Sequence, residues 1–272
     1  MVRLRSLAME LELRGKVAAI TGGNAGIGLA VAEGLAKEGV DVIISGRGAE
    51  KCDTEAARIA KEYGVRAFGV GCDFSTAEGA DTFVQATKDA FGGIDILINN
   101  AGLGTAEDIM TAPDEKWQYF WELHVMAAIR VSRGLAPTMI ERGGGVILAN
   151  GSICATQPMY HEPIYNVTKA ALTMMMKCLA HELIPHNIRA NIVQPGLTLT
   201  PAWESHLGKE AAAAGKPLAE YLDEWSLDYA PIGRFGTARE IADFFVFLCS
   251  ARATYSVGSS YYVDGGWLNT VN

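Results

Sequence analysis

Short apolar runs at 17–20, 42–45, 67–70, 94–98, 146–149, 188–193 and 259–263 alternate with amphipathic stretches of helical length near 27–38, 49–62, 76–90, 114–141, 164–183 and 238–249. A run without polar alternation reads as a strand buried on both faces, and such strands need helices above and below them. The rhythm predicts an α/β fold, a doubly wound seven-stranded parallel sheet. No repeat or low-complexity linker interrupts it, so 9–272 is expected to form a single domain, after a disordered extension at 1–8 that carries no pattern. One segment departs from the rhythm. Residues 197–231 exceed a usual connection and carry Trp203, His206, Trp225 and Tyr229; they read either as an inserted lid or binding loop, or as a helical pair packed on the surface.

Composition excludes several partners. With 49% hydrophobic and 20% charged residues the chain can bury a sizeable core. A net charge of −8 with no basic stripe opposes nucleic acid and anionic membranes, and neither is expected as a partner. No apolar run reaches the roughly 18 residues of a membrane span, and Met1-Val2-Arg3-Leu4-Arg5 lacks a signal-peptide core. Cys52, Cys72, Cys154, Cys178 and Cys249 have no ligand spacing; they read as reduced thiols, and no metal site is expected. A cytoplasmic protein is the expectation.

The first apolar run ends in Thr21-Gly22-Gly23-Asn24-Ala25-Gly26-Ile27-Gly28, and a helix of small and apolar residues begins at once. Glycines at 22, 26 and 28 let the backbone turn tightly and approach a pyrophosphate with no Cβ in the way. The helix N-terminus then offers free N–H groups and about half a positive charge.

This spacing reads G-x-x-x-G-x-G rather than G-x-G-x-x-G, and it resembles the short-chain dehydrogenase/reductase family in its short, single-domain branch. Four further places agree. Asn99-Asn100-Ala101-Gly102 is similar to the family motif that stabilises the central sheet beside the adenine ribose. Ser152 precedes Tyr165 by thirteen residues, and Tyr165 and Lys169 form a Tyr-x-x-x-Lys. Asn191-Ile192-Val193-Gln194-Pro195-Gly196 resembles N-x-x-x-P-G, whose Pro-Gly turn passes under the nicotinamide, and Val263-Asp264-Gly265-Gly266 looks like the closing V-D-G-G. Five ordered motifs are far more specific together than any one alone. The resemblance implies a Rossmann-like fold and a nicotinamide cofactor bound by Gly22, Asn24, Gly26, Ile27, Gly28, Arg47, Asp73, Asn100, Ala101, Gly102, Tyr165, Lys169, Pro195, Gly196 and Thr198.

Gly46-Arg47 follows the second run, at the strand tip that faces the adenosine 2′ position in this fold. An acid there would accept a 2′-hydroxyl and repel a 2′-phosphate. Gly46 replaces the acid and Arg47 suits the phosphate, so NADP(H) is the expected preference, with NAD(H) as the alternative. Arg47 reads otherwise as a solvated surface residue. Asp73, where the family's acid bonds the adenine amino group, reads equally as a helix N-cap.

Tyr165 and Lys169 stand i and i+4 on one helix, so their side chains share a face. A phenol titrates near 10, and a base working near neutrality needs a shift of about three units, roughly 4 kcal/mol, which a neighbouring ammonium and an oxidised nicotinamide both favour. Ser152 would hold the carbonyl or alkoxide oxygen by a hydrogen bond. Lys169 would also hold the nicotinamide ribose, as the resemblance implies. In oxidation Tyr165 is expected to take the hydroxyl proton while hydride leaves for the nicotinamide; reduction is the reverse. One position departs from the family. Seven residues beyond Trp117, where the family places an asparagine of the proton relay, stands His124. Its imidazole either joins the relay by titrating near neutrality or is a buried structural histidine.

The expected enzyme interconverts a secondary alcohol and a ketone by hydride transfer. An NAD-dependent enzyme of the same type, a dinucleotide-binding regulator or scaffold without turnover, and a lyase or epimerase stay open. Ile153, Cys154, Pro158, Met159, Trp203 and Trp225 predict a largely apolar pocket, suited to a hydrophobic ketone, a steroid-like ring or an acyl chain more than to a sugar; His161 and His206 are further lining candidates. The resemblance implies a homotetramer or homodimer, for which Trp117, Phe120, Trp121 and Met174 to Met176 would supply contacts.

Overall fold

A strand covered on both faces has no polar side to mark it, and all four residues of β1 (Val17–Ile20) are buried. In the computed structural model, which describes residues 9–270, six more strands extend it into a parallel sheet. These are β2 (Asp41–Gly46), β3 (Ala67–Gly71), β4 (Ile96–Asn99), β5 (Gly145–Asn150), β6 (Ile188–Pro195) and, after a bridging pair β7 (Thr198–Leu199) and β8 (Gly236–Thr237), β9 (Ser260–Val263). The order is β3-β2-β1-β4-β5-β6-β9, so the winding reverses between β1 and β4 and leaves a crevice at their C-terminal ends. The expected seven-stranded, doubly wound, Rossmann-like domain is the observed one. The extension expected at 1–8 lies outside the described residues.

Successive side chains on each strand feed two cores. Ala18, Ile20, Ile96 and Ile98 pack under α1 (Gly26–Lys37), α2 (Ala49–Tyr63) and α9 (Ala238–Cys249). Val17, Ala19 and Leu97 pack on the other face under α3 (Ala77–Phe91), α4 (Asp114–Trp121), α5 (Ala127–Glu141) and α6 (Pro163–Leu183). The fourth strand begins two residues later than its apolar run, because Asp95 turns its carboxylate back to accept from Val17 N at 2.8 Å.

Two regions refine the sequence expectation. The helix expected at 114–141 is split by a π-helical turn, Glu122–Met126, which carries His124. Such a turn widens the helix locally and re-aims one side chain, here into the core. Residues 197–231 form the helical pair α7 (Pro201–Ala213) and α8 (Leu218–Tyr229). A chain of rings ties the pair down, with centroids 5.5 Å apart for Trp203 and Trp225, 4.6 Å for Trp225 and Tyr229, and 5.3 Å for Tyr229 and Trp267. Among the described residues no helix is long and apolar enough to cross a membrane.

Gly28, in the first turn of α1, has no room for a side chain: a Cβ would lie 2.3 Å from Asn100 Nδ2 and 2.4 Å from Gly22 O. Gly28→Ala is expected to destabilise the fold by about 1–3 kcal/mol, read as a lower midpoint in urea. An unchanged midpoint would show that the turn can open without cost.

Candidate active site

The glycine turn between β1 and α1 is fixed from outside. Asn100 Nδ2 donates to Thr21 O and Gly22 O, both at 3.0 Å, and Thr21 Oγ1 accepts from the amides of Asn100 at 2.9 Å and Ala101 at 3.0 Å. Gly22 and Gly26 adopt φ of +64° and +55°, which a side chain would strain. The helices α3, α7 and α9 are each capped by a threonine, whereas α1 starts at Ala25 with no side-chain cap and no acid in its first turn. Its first N–H groups are therefore left for an anion, and the cradle fits a dinucleotide pyrophosphate. Ile27 is half-buried beside it.

Across from the cradle runs the turn after β6. A Cβ on Gly26 would lie 3.5 Å from Thr200, and one on Gly196 would lie 2.7 Å from Asp264, so Pro195-Gly196 and the closing motif converge here. Thr198 is buried, and its hydroxyl donates to Gly196 O at 3.2 Å. Thr200 was not singled out by the sequence; it stands between the motif and the inserted helices.

At the tip of β2, Arg47 is exposed and has no ion pair or hydrogen bond among the described residues. Beside it the Asn24 amide occupies the space where a Cβ on Gly46 would sit, 2.3 Å from Asn24 Nδ2. Asp73 accepts from the amide and hydroxyl of Ser75, both at 2.9 Å, while the α3 cap is Thr76, which accepts from Gly79 N at 3.1 Å. The capping alternative for Asp73 thus belongs to Thr76.

Ser152, Tyr165 and Lys169 come together at the ends of β5 and α6. Gln194 Oε1 accepts from Ser152 N at 2.6 Å, and Gln194 Nε2 donates to Thr173 Oγ1 at 2.9 Å, which pins the serine main chain. Lys169 is buried, its Nζ 5.4 Å from the Tyr165 ring centroid, and it donates to Asn150 O at 2.7 Å. Burial lowers its pKa to about 8. Burial pushes the Tyr165 phenol up, with the charges of Cys154 and Glu162 adding to the rise and a hydrogen bond with Ser152 opposing it. The expected lowering is therefore not seen: the phenol is raised from its ordinary value and is neutral at pH 7. Cys154 is also buried, its thiol raised to about 11.

His124 does not titrate near neutrality as one expectation had it. It is 2% exposed, and burial first, then the charge of Lys169, lowers its pKa to about 3. Its Nε2 accepts from Leu103 N at 3.2 Å, so Nδ1 carries the proton and donates to Thr168 Oγ1 at 2.8 Å. Thr168 in turn donates to Ile164 O at 2.9 Å. Both ring nitrogens are thus engaged in hydrogen bonds.

The surroundings of Tyr165 are less apolar than the predicted lining. Ile153 and Cys154 are buried there, but Glu162, three residues before Tyr165, is close enough to raise the pKa of both Tyr165 and Cys154. Its side chain is 14% exposed, and His161 Nε2 lies 3.9 Å from its Oε1. Burial raises its own carboxyl above the ordinary range. Its place at the N-cap of the Tyr165 helix was the available signal.

A family model described as enoyl-(acyl carrier protein) reductase matches residues 22–268. The chain belongs to the short-chain dehydrogenase/reductase family. The 3-oxoacyl-(acyl-carrier-protein) reductase of Aquifex aeolicus is 33% identical over 95% of this chain and 99% of its own. L-sorbose reductase from Gluconobacter frateurii, solved with NADPH and L-sorbose, is 52% identical with a TM-score of 0.95, over 97% of this chain and 100% of that one. A 7α-hydroxysteroid dehydrogenase solved with NADH and 7-oxo glycochenodeoxycholic acid is 32% identical with a TM-score of 0.86, over 97% and 98%. The protein is accordingly an NAD(P)-dependent oxidoreductase of alcohols and ketones.

The folded protein keeps His124 neutral down to about pH 3, whereas the unfolded chain protonates it below its ordinary value of 6.5. Its contribution to stability is therefore full above 6.5 and is lost as pH falls toward 3. Between pH 7 and pH 5 the protein should lose about 2 kcal/mol more than His124→Asn, read by urea denaturation at both values. Parallel losses in the two proteins would mean that the imidazole takes a proton in the fold.

Proposed function

We propose that this protein is an NADPH-preferring reductase of a small polyhydroxylated ketone, with Tyr165 as its acid/base. The reading rests first on the neutral phenol set between Ser152 and Lys169, because carbonyl reduction needs a proton donor at that point. Gly22, Gly26, Gly28 and the α1 N-terminus would hold a dinucleotide, which when bound would supply the hydride. Ser152 donates a hydrogen bond to the carbonyl oxygen, and Tyr165 gives that oxygen its phenolic proton. The Lys169 ammonium, still mostly protonated at pH 7, stabilises the phenolate left behind. His124 serves by holding Leu103 and Thr168 in place rather than by carrying protons.

Arg47, exposed and unpaired, supports the NADPH preference, as does the neighbour solved with that cofactor. Two observations favour a polyhydroxylated substrate over the apolar one expected from the lining residues. A nearly buried carboxylate, Glu162, suits a ligand that brings hydroxyl donors, since an apolar ligand would desolvate it without compensation. The neighbour at 52% identity was solved with L-sorbose.

With NADPH, L-sorbose should turn over with a higher kcat/KM than acetophenone; the opposite order would reject the substrate class. Tyr165→Phe should lower kcat by about a hundredfold or more while NADPH still binds, and near-normal turnover would remove Tyr165 from the chemistry. Arg47→Ala should weaken NADPH by about tenfold to a hundredfold and barely change NADH, measured by nucleotide fluorescence at one salt concentration. Tighter binding of NADH than of NADPH by the unmodified protein would overturn the preference.

A further inference from the structure

Tyr165 stands in the first turn of α6, and that turn has no cap of its own. Its N-cap residue, Glu162, makes no side-chain capping hydrogen bond, and Pro163 has no N–H to satisfy. The next amide, of Ile164, donates instead to Glu107 Oε1 at 3.0 Å, across 57 residues of sequence. Helix N-termini favour a negative charge, so a carboxylate is the stronger form of this cap.

Glu107 is held firmly enough to act as a fixed point. Its side chain is 6% exposed, and its other oxygen takes Thr105 Oγ1 at 2.6 Å and Lys116 Nζ at 2.8 Å. Lys116 also donates to Ala106 O at 2.9 Å, and Glu107 N donates to His161 O at 3.1 Å. Burial acts to raise the carboxyl, yet its hydrogen bonds with Lys116, Thr105 and Ile164 hold it below the ordinary range. Residues 100–113, which carry it, form no helix or strand. This loop leaves the cradle at Asn100 and is fastened first to His124 through Leu103 N, then to α6 through Glu107.

We propose that Glu107 is a positioning residue for the reaction, a cap supplied from the loop after β4 that sets the first turn of α6, and hence Tyr165, against the cofactor cradle. The inference rests on the reading of Tyr165 as the acid/base. An error of about 1 Å at a reacting group can cost a hundredfold in rate, so a lost cap is expected in kcat rather than in cofactor affinity.

Three variants test it, with NADPH and L-sorbose turnover, NADPH affinity, and amide hydrogen exchange of the 160–170 peptide as readouts. Glu107→Ala should lower kcat about tenfold to a hundredfold, leave NADPH affinity within about twofold, and speed exchange at 164–168. Glu107→Gln keeps an oxygen for Ile164 N and should restore kcat to within about threefold of the unmodified protein. Lys116→Met removes the ion pair but not the cap, and should leave exchange at 164–168 unchanged. Unaltered exchange in Glu107→Ala, or equal kcat losses in the Ala and Gln variants, would overturn the proposal, and should Glu107→Ala fail to fold, the Gln and Lys116 variants still decide it. Tyr165→Phe measured alongside separates the two readings. If it stays active, the acid/base assignment fails; if it is inactive while Glu107→Ala keeps full kcat, only the positioning role fails.

Discussion

The Asn100 side chain joins the ends of three strands, and the site depends on that joint. Its amide nitrogen ties the carbonyls of Thr21 and Gly22 at the tip of β1, and its oxygen accepts from Asn150 Nδ2 at 2.9 Å at the tip of β5. The main-chain oxygen of the same Asn150 receives the Lys169 ammonium. A short chain of hydrogen bonds thus connects the glycine turn to the buried lysine, and such chains are stiff in a low-dielectric interior. The joint also explains why glycine is required at 22 and 28: a Cβ at either position would meet the Asn100 amide, at 3.1 Å and 2.3 Å.

Burial then sets where the protons lie. It lowers Lys169 to about 8, lowers His124 to about 3 and raises Tyr165, so each group is pushed toward its neutral form. The ammonium is left as the main charge beside the phenol at neutral pH. A second cation at His124 would compete with it; burial first, then the charge of Lys169, keeps the imidazole neutral, and the Leu103 amide donates to its Nε2. The same hydrogen bond fastens the loop that carries Glu107, so the histidine at the asparagine position links the electrostatics of the lysine to the shape of the wall above it.

The fold was legible because its signals are local. An apolar run, a glycine turn and a helix follow one another within thirty residues of sequence, and the catalytic-type trio falls at fixed intervals. What the sequence did not disclose acts over distance. Asn150 and Gln194 orient Lys169 and Ser152 through a main-chain oxygen and a side-chain amide, and neither residue type declares such a task. Glu107 reaches its helix from a loop without regular structure. The π-helical turn that re-aims His124 changes its partners without any change in apolar periodicity, so the choice between a relay and a structural imidazole rested on contacts to Leu103 and Thr168.

Substrate class is the least legible property, and the two solved neighbours show why. One was solved with L-sorbose and the other with a bile acid, yet both share this chain's frame, with TM-scores of 0.95 and 0.86. On the proposed reading the frame fixes where a carbonyl would meet Ser152 and Tyr165, and leaves the rest of the ligand to the side chains around them. Counting aromatic residues there misleads, because Trp203, Trp225, Tyr229 and Trp267 spend much of their surface on one another and anchor the inserted helices. A single nearly buried carboxylate weighs more than several such rings. Left without donors under an apolar ligand, Glu162 would cost several kcal/mol to desolvate, whereas the proposed polyhydroxylated ketone would bring hydroxyl donors to it.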